Sequence, residues 1–437
     1  MIQPSSHIDS YYTASSRETR GEFVEHSRLQ DHINADVCVI GGGYTGLSSA
    51  LHLVKKGYSV ALLEGERIGW GASGRNGGHC STGQRMNQRE LEMLVGLGRA
   101  KVLWEYGLEA VQTVRDLIAE HDIQCDLKNG DLHVANRVRE LPELQQEVEH
   151  MRSVYNYEHL QFCDLAEIRE MVGSEKFYGG LLDTKGAHLH PLKYVLGLAD
   201  AATKGGVKLF ENSRVLSYRQ TGSAAHSGKV KVTTGEGEVT ADFVVLACNG
   251  YLERLSPSIA GKIMPINNFI LATEPLEQKL ATELIRDDVA VADSLFVINY
   301  WKLSADNRLL FGGGETYTSQ FPADIKKFVR KYMLRVYPQL ENIGIDYAWG
   351  GTLAITMNRL PVFGNQGGNI FYAHGYSGHG VPTATFAGKL IAEAVSCTAE
   401  RFDVMAGLPN SNFPGGTLLR WPGLVAGMLY YSLRDRL

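Results

Sequence analysis

Asp36-Val37-Cys38-Val39-Ile40-Gly41-Gly42-Gly43-Tyr44-Thr45-Gly46-Leu47-Ser48-Ser49-Ala50 decides the fold. The apolar run reads as a buried strand, and the glycine-rich turn after it opens an amphipathic helix. Gly41 permits the tight turn, Gly43 lets the backbone approach a pyrophosphate, and Gly46 lets the helix pack on the strand. Tyr44 and Thr45 begin the helix, whose amide end faces the phosphate charge. A second strand, Ser59-Val60-Ala61-Leu62-Leu63-Glu64, ends in the carboxylate expected to hydrogen-bond an adenosine ribose. Strand, glycine turn, helix, strand and terminal acid in one short unit specify a dinucleotide site far better than three glycines alone.

Moving outward, Glu64 is followed by Ile68-Gly69-Trp70-Gly71-Ala72-Ser73-Gly74-Arg75-Asn76-Gly77-Gly78-His79. Closely spaced glycines can hold backbone N–H groups against a flat or anionic ligand. Gly71, Ala72, Ser73, Asn76, Gly77 and Gly78 are therefore candidate contacts. Arg75 is the candidate to neutralise a pyrophosphate, with Ser73 hydrogen-bonding it. Two more apolar strands end in small-residue turns, at residues 242–250 and 369–382, and the second runs into a helix over residues 383–395. Val215, Asn249, Gly250, Gly350 and Gly375 complete the backbone candidates. Ser377, Gly378, His379, Gly380 and Val381 lie where helix-terminal amides can meet negative charge.

Between these units, residues 89–121 read as two helices, 131–135 as a strand and 140–154 as a charged helix. A helix over 191–204 precedes a strand at 207–210, and residues 229–247 read as a hairpin leading into a buried strand. The fold class expected is α/β, a Rossmann-like domain of discontinuous segments with an inserted α+β domain carrying a mainly antiparallel sheet. The expected division is 34–85, 185–260 and 345–400 for nucleotide binding, and 86–184 and 261–344 for substrate. Residues 1–33 form an N-terminal arm and 401–437 a C-terminal tail.

Composition narrows the class. The 437 residues carry a net charge of −5 with no basic run, which argues against nucleic acid. No apolar stretch is long enough to span a membrane, so no integral membrane segment is expected. The polar N-terminus lacks a signal core. The six cysteines have neither disulfide-like nor metal-ligand spacing, which fits a reducing cytoplasm. His188 and His190 share a face if extended, but no acidic or thiol ligand accompanies them; they are read as hinge residues near the cofactor, and no metal is expected.

Taken over nearly its whole length, the chain resembles the D-amino-acid-oxidase-like flavoprotein amine oxidases, and most of all the gamma-glutamylputrescine oxidase family. The matching blocks are residues 39–53, Gly71 to Gly78, His188-Leu189-His190-Pro191-Leu192, Ala305 to Gly314, Ser377-Gly378-His379-Gly380-Val381, Phe413-Pro414-Gly415-Gly416 and Tyr430 to Arg436. The resemblance implies FAD and oxidation of a small-molecule amine, a gamma-glutamyl polyamine such as gamma-glutamylputrescine. Hydride passes to flavin N5, giving an imine and then an aldehyde, with molecular oxygen or another acceptor taking the electrons and oxygen yielding hydrogen peroxide. A single dinucleotide fingerprint also suits FAD better than a reductase that binds NAD(P)H as well.

His79, Tyr300 and Trp301 are the candidate catalytic side chains. His79 is read as a non-covalent polar residue near the flavin ring, with covalent attachment at His79 or Cys80 as the alternative. Tyr300 and Trp301 could wall an alkylammonium, with packed strand residues as the competing reading. Trp349-Gly350-Gly351-Thr352 can pass close to the ring. Sarcosine-oxidase relatives hold an oxygen-activating lysine on the strand matching Arg308 to Gly312, where this chain has leucine. The alternatives are a glycine, sarcosine or D-amino-acid oxidase or dehydrogenase of the same family, and a non-catalytic flavin-binding sensor. The amphipathic segment from Leu418 to Leu437 is expected to dock on its own fold in preference to a membrane.

Overall fold

The computed structural model describes residues 6–221, 228–316 and 320–417. The expected docking of residues 418–437 therefore lies outside the described residues.

The opening strand, His32–Ile40, is central to an eight-stranded sheet. It pairs in parallel with Val60–Leu63 on one side and Glu238–Leu246 on the other. Lys208–Phe210 and Ile370–His374 extend the parallel set outward, and Val362–Gln366 closes one edge antiparallel. The hairpin strands Ser217–Gln220 and Val230–Thr233 hang from Glu238–Leu246. Ile40 is level with both Leu63 and Leu246, so three carboxyl ends stop at one edge, where ligands of open parallel sheets bind. Val37, Val39, Leu62 and Val245 are buried, as expected of strands covered on both faces.

The helix Tyr44–Lys55 leaves that edge and packs on Gly380–Val395. The two come close because Gly388 lacks a side chain: a Cβ there would stand 2.5 Å from Ser48 Cβ. The Ser48 hydroxyl donates to the Thr385 carbonyl at 2.5 Å. Both helices therefore present their amino ends at the same place.

A nine-stranded second sheet runs Ile345–Ile355, Met264–Thr273, Leu309–Thr316, Tyr300–Leu303, Ala290–Asp293, Lys128–Val134, Gly180–His188, His79–Cys80, with Leu160–Cys163 on Gly180–His188. All pairings are antiparallel except Lys128–Val134 with Ala290–Asp293. His79–Cys80, the end of Gly180–His188 and Ile345–Ile355 belong to this sheet, although they fall inside the stretches expected to bind nucleotide. Their backbone groups pair within the second sheet as the chain crosses over, so the two sheets meet along the loop that ends at His79–Cys80.

The polar N-terminal arm contains a helix, Tyr11–Arg20, started by Ser10, whose hydroxyl accepts the Thr13 N–H. It buries Tyr11, Tyr12, Ser15 and Ser16 across both domains. Tyr12 meets Trp349 edge-on, the Tyr11 hydroxyl donates to Asp306 at 2.6 Å, and Ser15 meets His190 at 2.9 Å. Among the described residues no helix is long and apolar enough to cross a membrane.

Candidate active site

At the opening fingerprint Gly41 has φ +114°, and a Cβ there would lie 2.7 Å from the Ala247 carbonyl oxygen. Closer still, a Cβ on Gly46 would lie 1.9 Å from the Gly41 carbonyl oxygen, so this position admits only glycine. The helix behind them begins at Gly43 without a side-chain cap, leaving first-turn amides for a ligand. Ser73 accepts the Tyr44 N–H at 3.1 Å and ties the second loop to the first.

Glu64 is held by two amides, Gly42 N–H at 2.7 Å and Glu66 N–H at 2.9 Å. Burial raises its pKa, and those amides oppose the rise. Oriented in this way, its remaining lone pairs suit a vicinal diol such as ribose. Arg75 stacks over Trp70 at 4.0 Å and donates to the Gly350 carbonyl at 3.3 Å. Its Nη2 is sealed from solvent with no hydrogen-bond partner among the described residues. Asn76 is engaged internally: its amide donates to Tyr44 Oη, Ala72 O and Ser73 O, and its oxygen accepts from Gly78 N–H. It shapes the loop.

These groups line one cavity of about 1010 Å³. Also in its wall are Gly43, Thr45, Gly71, Ala72, Gly77, Val215, Asn249, Ser377, Gly378, His379, Gly380 and Val381. Four expected cofactor glycines lie just behind it. Gly46 supports the helix, Gly250 backs onto Leu353, Gly350 lends its carbonyl to Arg75, and Gly375 donates to Asn249 at 3.0 Å. His379 precedes the helix Gly380–Val395 without capping it, and burial, reinforced by Arg85, lowers its pKa to about 4. It is neutral at physiological pH.

The catalytic candidates separate. His79 lines the cavity, with Nδ1 3.4 Å from Asp131 Oδ1, and its ring meets Tyr300 edge-on at 5.7 Å. Tyr300 is a wall residue whose hydroxyl donates to Asn268. Trp301, one residue on, points to the opposite face of the strand. It is fully buried between Phe177 and Phe311, with Nε1 donating to Tyr337 at 2.9 Å. Trp301 is thus core of the second domain, and the aromatic wall expected of both rings is supplied from this strand by Tyr300 alone. The same alternation turns Cys80 inward, where burial pushes its thiol up to about 12. Cys80 does not reach the cavity.

His188 and His190 serve the framework. His188 Nε2 meets the Asp288 carbonyl at 2.7 Å, and His190 caps the helix Pro191–Lys204 through the Lys193 N–H at 3.2 Å. Burial lowers both pKa values well below the ordinary histidine value. Among the described residues no group of three or more His, Cys, Asp or Glu could hold a metal ion.

Lys302 is a group that sequence reasoning missed. Lys302 is the cross-strand partner of Leu310, on the strand next to the one expected to lack an oxygen-activating lysine. The lysine is buried and donates to the Leu189 carbonyl, and burial lowers its pKa to about 7. A Cβ on Gly78 would stand 2.8 Å from its Nζ, so this amine lies directly behind the Gly71–Gly78 loop. The alternation of the strand from Tyr300 carries the signal only once its phase is known.

The FAD-dependent oxidoreductase model described as DAO matches residues 36–394. The chain belongs to this FAD-dependent oxidoreductase family. It is 41% identical over 432 residues to gamma-glutamylputrescine oxidoreductase of Escherichia coli (strain K12), covering 99% of each chain. It is 38% identical to the probable oxidoreductase OrdL of Haemophilus influenzae, covering 98% of each. Among solved structures it resembles glycine oxidase of Geobacillus kaustophilus with a TM-score of 0.70 at 21% identity, over 86% of this chain and 99% of that one. That likeness establishes the shared fold.

A family member must hold FAD, and the residues present fit it. The orphaned Arg75 Nη2, the oriented Glu64 carboxylate and the side-chain-free approach at Gly41 and Gly43 suit a diphosphate linked to ribose. The cavity wall also carries Glu66, Asp131, Glu140, Glu143, Glu147, Asp183 and Glu253, against Arg85, Arg214, Arg254 and Arg359. Burial and the neighbouring Glu143 raise the pKa of Glu147. Over the whole lining, carboxylates outnumber arginines.

Proposed function

We propose that this chain oxidises the C–N bond of a cationic amine, a gamma-glutamyl polyamine such as gamma-glutamylputrescine, to an imine that hydrolyses to an aldehyde. The observation that carries this reading is the excess of carboxylates over arginines among the residues lining the cavity. Such a wall attracts an ammonium-bearing chain, whereas an oxidase of simple amino acids needs a dominant cation for the carboxylate beside the reacting carbon. The full-length identity to gamma-glutamylputrescine oxidoreductase supports the same substrate class.

Bound FAD would supply the two-electron acceptor, taking hydride at N5 and passing electrons to oxygen or another acceptor. Gly41, Gly43, Glu64 and Arg75 would hold its dinucleotide, and Gly378 to Val381 would present helix-terminal amides to negative charge. Tyr300 and His79 would flank the reacting amine. The free thiols suit a reducing cytoplasm.

The test is anaerobic mixing of the yellow protein with gamma-glutamylputrescine, putrescine, glycine, sarcosine and D-alanine. Bleaching of the flavin by gamma-glutamylputrescine ahead of the amino acids is expected, with hydrogen peroxide on readmitting air. Faster bleaching by an amino acid would overturn the substrate class, and no bleaching at all would leave a flavin-binding sensor. Acid precipitation should release the colour, because no covalent link to His79 is expected.

A further inference from the structure

Lys128–Val134 carries a bulge that its function in the sheet does not require. The register against Gly180–His188 shifts between Asn129 and Asp131, and the intervening Gly130 has φ +97°. A Cβ at Gly130 would lie 2.4 Å from Val289 Cγ1, so glycine is needed there. Bulges of this kind re-aim the next side chain. Here the next side chain is Asp131, which enters the cavity wall beside His79.

Both members of the pair are partly exposed to the cavity, with 16% of the His79 side chain and 17% of the Asp131 side chain accessible. The Nδ1···Oδ1 distance is 3.4 Å. His79 Nε2 is sealed from solvent and has no hydrogen-bond partner among the described residues. The imidazole's polar outlet is therefore Nδ1, through the carboxylate. Burial works to raise the Asp131 pKa, but hydrogen bonds from His79 and Ser81 hold it below the usual carboxylate value. The other charged or titratable groups facing the pair are Tyr300 across the ring, His133 two residues along the strand, His188 opposite His79, and Arg85 and His379 across the cavity.

We infer that the Asp131–His79 pair is the docking anion and proton acceptor for the substrate's ammonium group. This rests on the amine-oxidising reading above. An alkylammonium has no lone pair, and hydride cannot leave its carbon until one nitrogen proton is gone. The ammonium donates to Asp131, its N–H bond breaks with the electron pair staying on nitrogen, and the proton is taken by the carboxylate oxygen, while His79 Nδ1–H keeps donating to the carboxyl group and orients it. The products are a neutral amine and a carboxylic acid hydrogen-bonded to neutral imidazole. No oxidant or reductant takes part in this transfer.

The test uses holoenzyme and the analogue of gamma-glutamylputrescine bearing two methyl groups on the amine carbon, which has no hydride to give. Calorimetry in buffers of different ionisation enthalpy, near pH 7.5, counts protons released on binding. The wild type is expected to release none, because the ammonium proton stays on the pair. Asp131→Asn is expected to release about one, since it accepts only free amine. In parallel, anaerobic flavin reduction by gamma-glutamylputrescine should drop about 100-fold in Asp131→Asn near pH 7.5. It should recover towards about pH 10, where the free amine of ordinary pKa about 10.4 is abundant. A lesion of the fold alone would not be rescued by alkali. His79→Gln, which keeps Asp131 as docking anion but removes the imidazole that orients it, should show a smaller loss with the same alkaline rescue and serves if Asp131→Asn does not retain flavin. Equal proton release by the wild type and both variants, or activity lost equally at every pH, would overturn the inference. If gamma-glutamylputrescine does not reduce even the wild-type flavin, the substrate reading fails instead.

Discussion

Replacing Lys302 with methionine should change how stability depends on pH. Burial takes the lysine pKa from 10.5 to about 7. At about 1.4 kcal/mol per pKa unit, the folded state then bears on the order of 4–5 kcal/mol against it while the amine is charged. Between those two pKa values the unfolded chain binds the proton and the folded chain does not. Wild-type stability therefore rises with pH across this window and flattens above it. Methionine removes that rise but leaves the Leu189 carbonyl without its donor, a cost of about 1–3 kcal/mol at all pH values. The variant should be the more stable protein below about pH 7 and the less stable one near pH 10, so the two curves cross. Urea denaturation of both holoproteins at matched FAD, from about pH 6.5 to 9.5, gives the difference directly, because every other titrating group is shared. A gain of about 3 kcal/mol by the wild type over the variant across that range is expected. Parallel curves would refute the buried, near-neutral lysine.

Glu64→Gln should keep the fold and weaken FAD binding about 10- to 100-fold, because the new NH₂ faces an amide donor from Gly42 or Glu66. Fluorescence quenching during reconstitution of the apoprotein measures this, and unchanged affinity would remove Glu64 from the ribose site. Trp301→Phe should lower stability by about 1–3 kcal/mol through the lost Tyr337 hydrogen bond and lost bulk, while flavin spectrum and reduction rate stay unchanged. Altered reduction kinetics without destabilisation would return Trp301 to the substrate wall.

Much of the cofactor end was legible because its determinants are local. The strand, glycine turn and acid lie between Asp36 and Glu64, and the helix Pro191–Lys204 begins at a proline, as first turns tolerate. What escaped depended on phase or on distant partners. Alternation says that Tyr300 and Trp301 face opposite ways, but not which one faces the ligand. The helix Tyr11–Arg20 hid because its buried face mixes Tyr11 and Tyr12 with Ser15 and Ser16, giving no apolar period. Asp131 looked like the polar start of a strand. The bulge at Gly130 that turns it towards His79 is set by pairing with Gly180–His188, some 50 residues further along the chain.

The interleaving of the parallel sheet has a consequence for biosynthesis. Gly41 to Gly46 leave the ribosome early, yet the helix that completes the cradle starts at Gly380, over 300 residues later. At about 5–20 residues per second, the half-built site waits on the order of 20–70 s for its other wall. Until then the carboxyl end of Glu238–Leu246 lacks its outer neighbour, Ile370–His374, and is open to wrong pairing. The cofactor site is thus complete only after Gly380–Val395 has emerged, and yield in a heterologous host should respond to chaperone supply and slowed synthesis more than to added riboflavin.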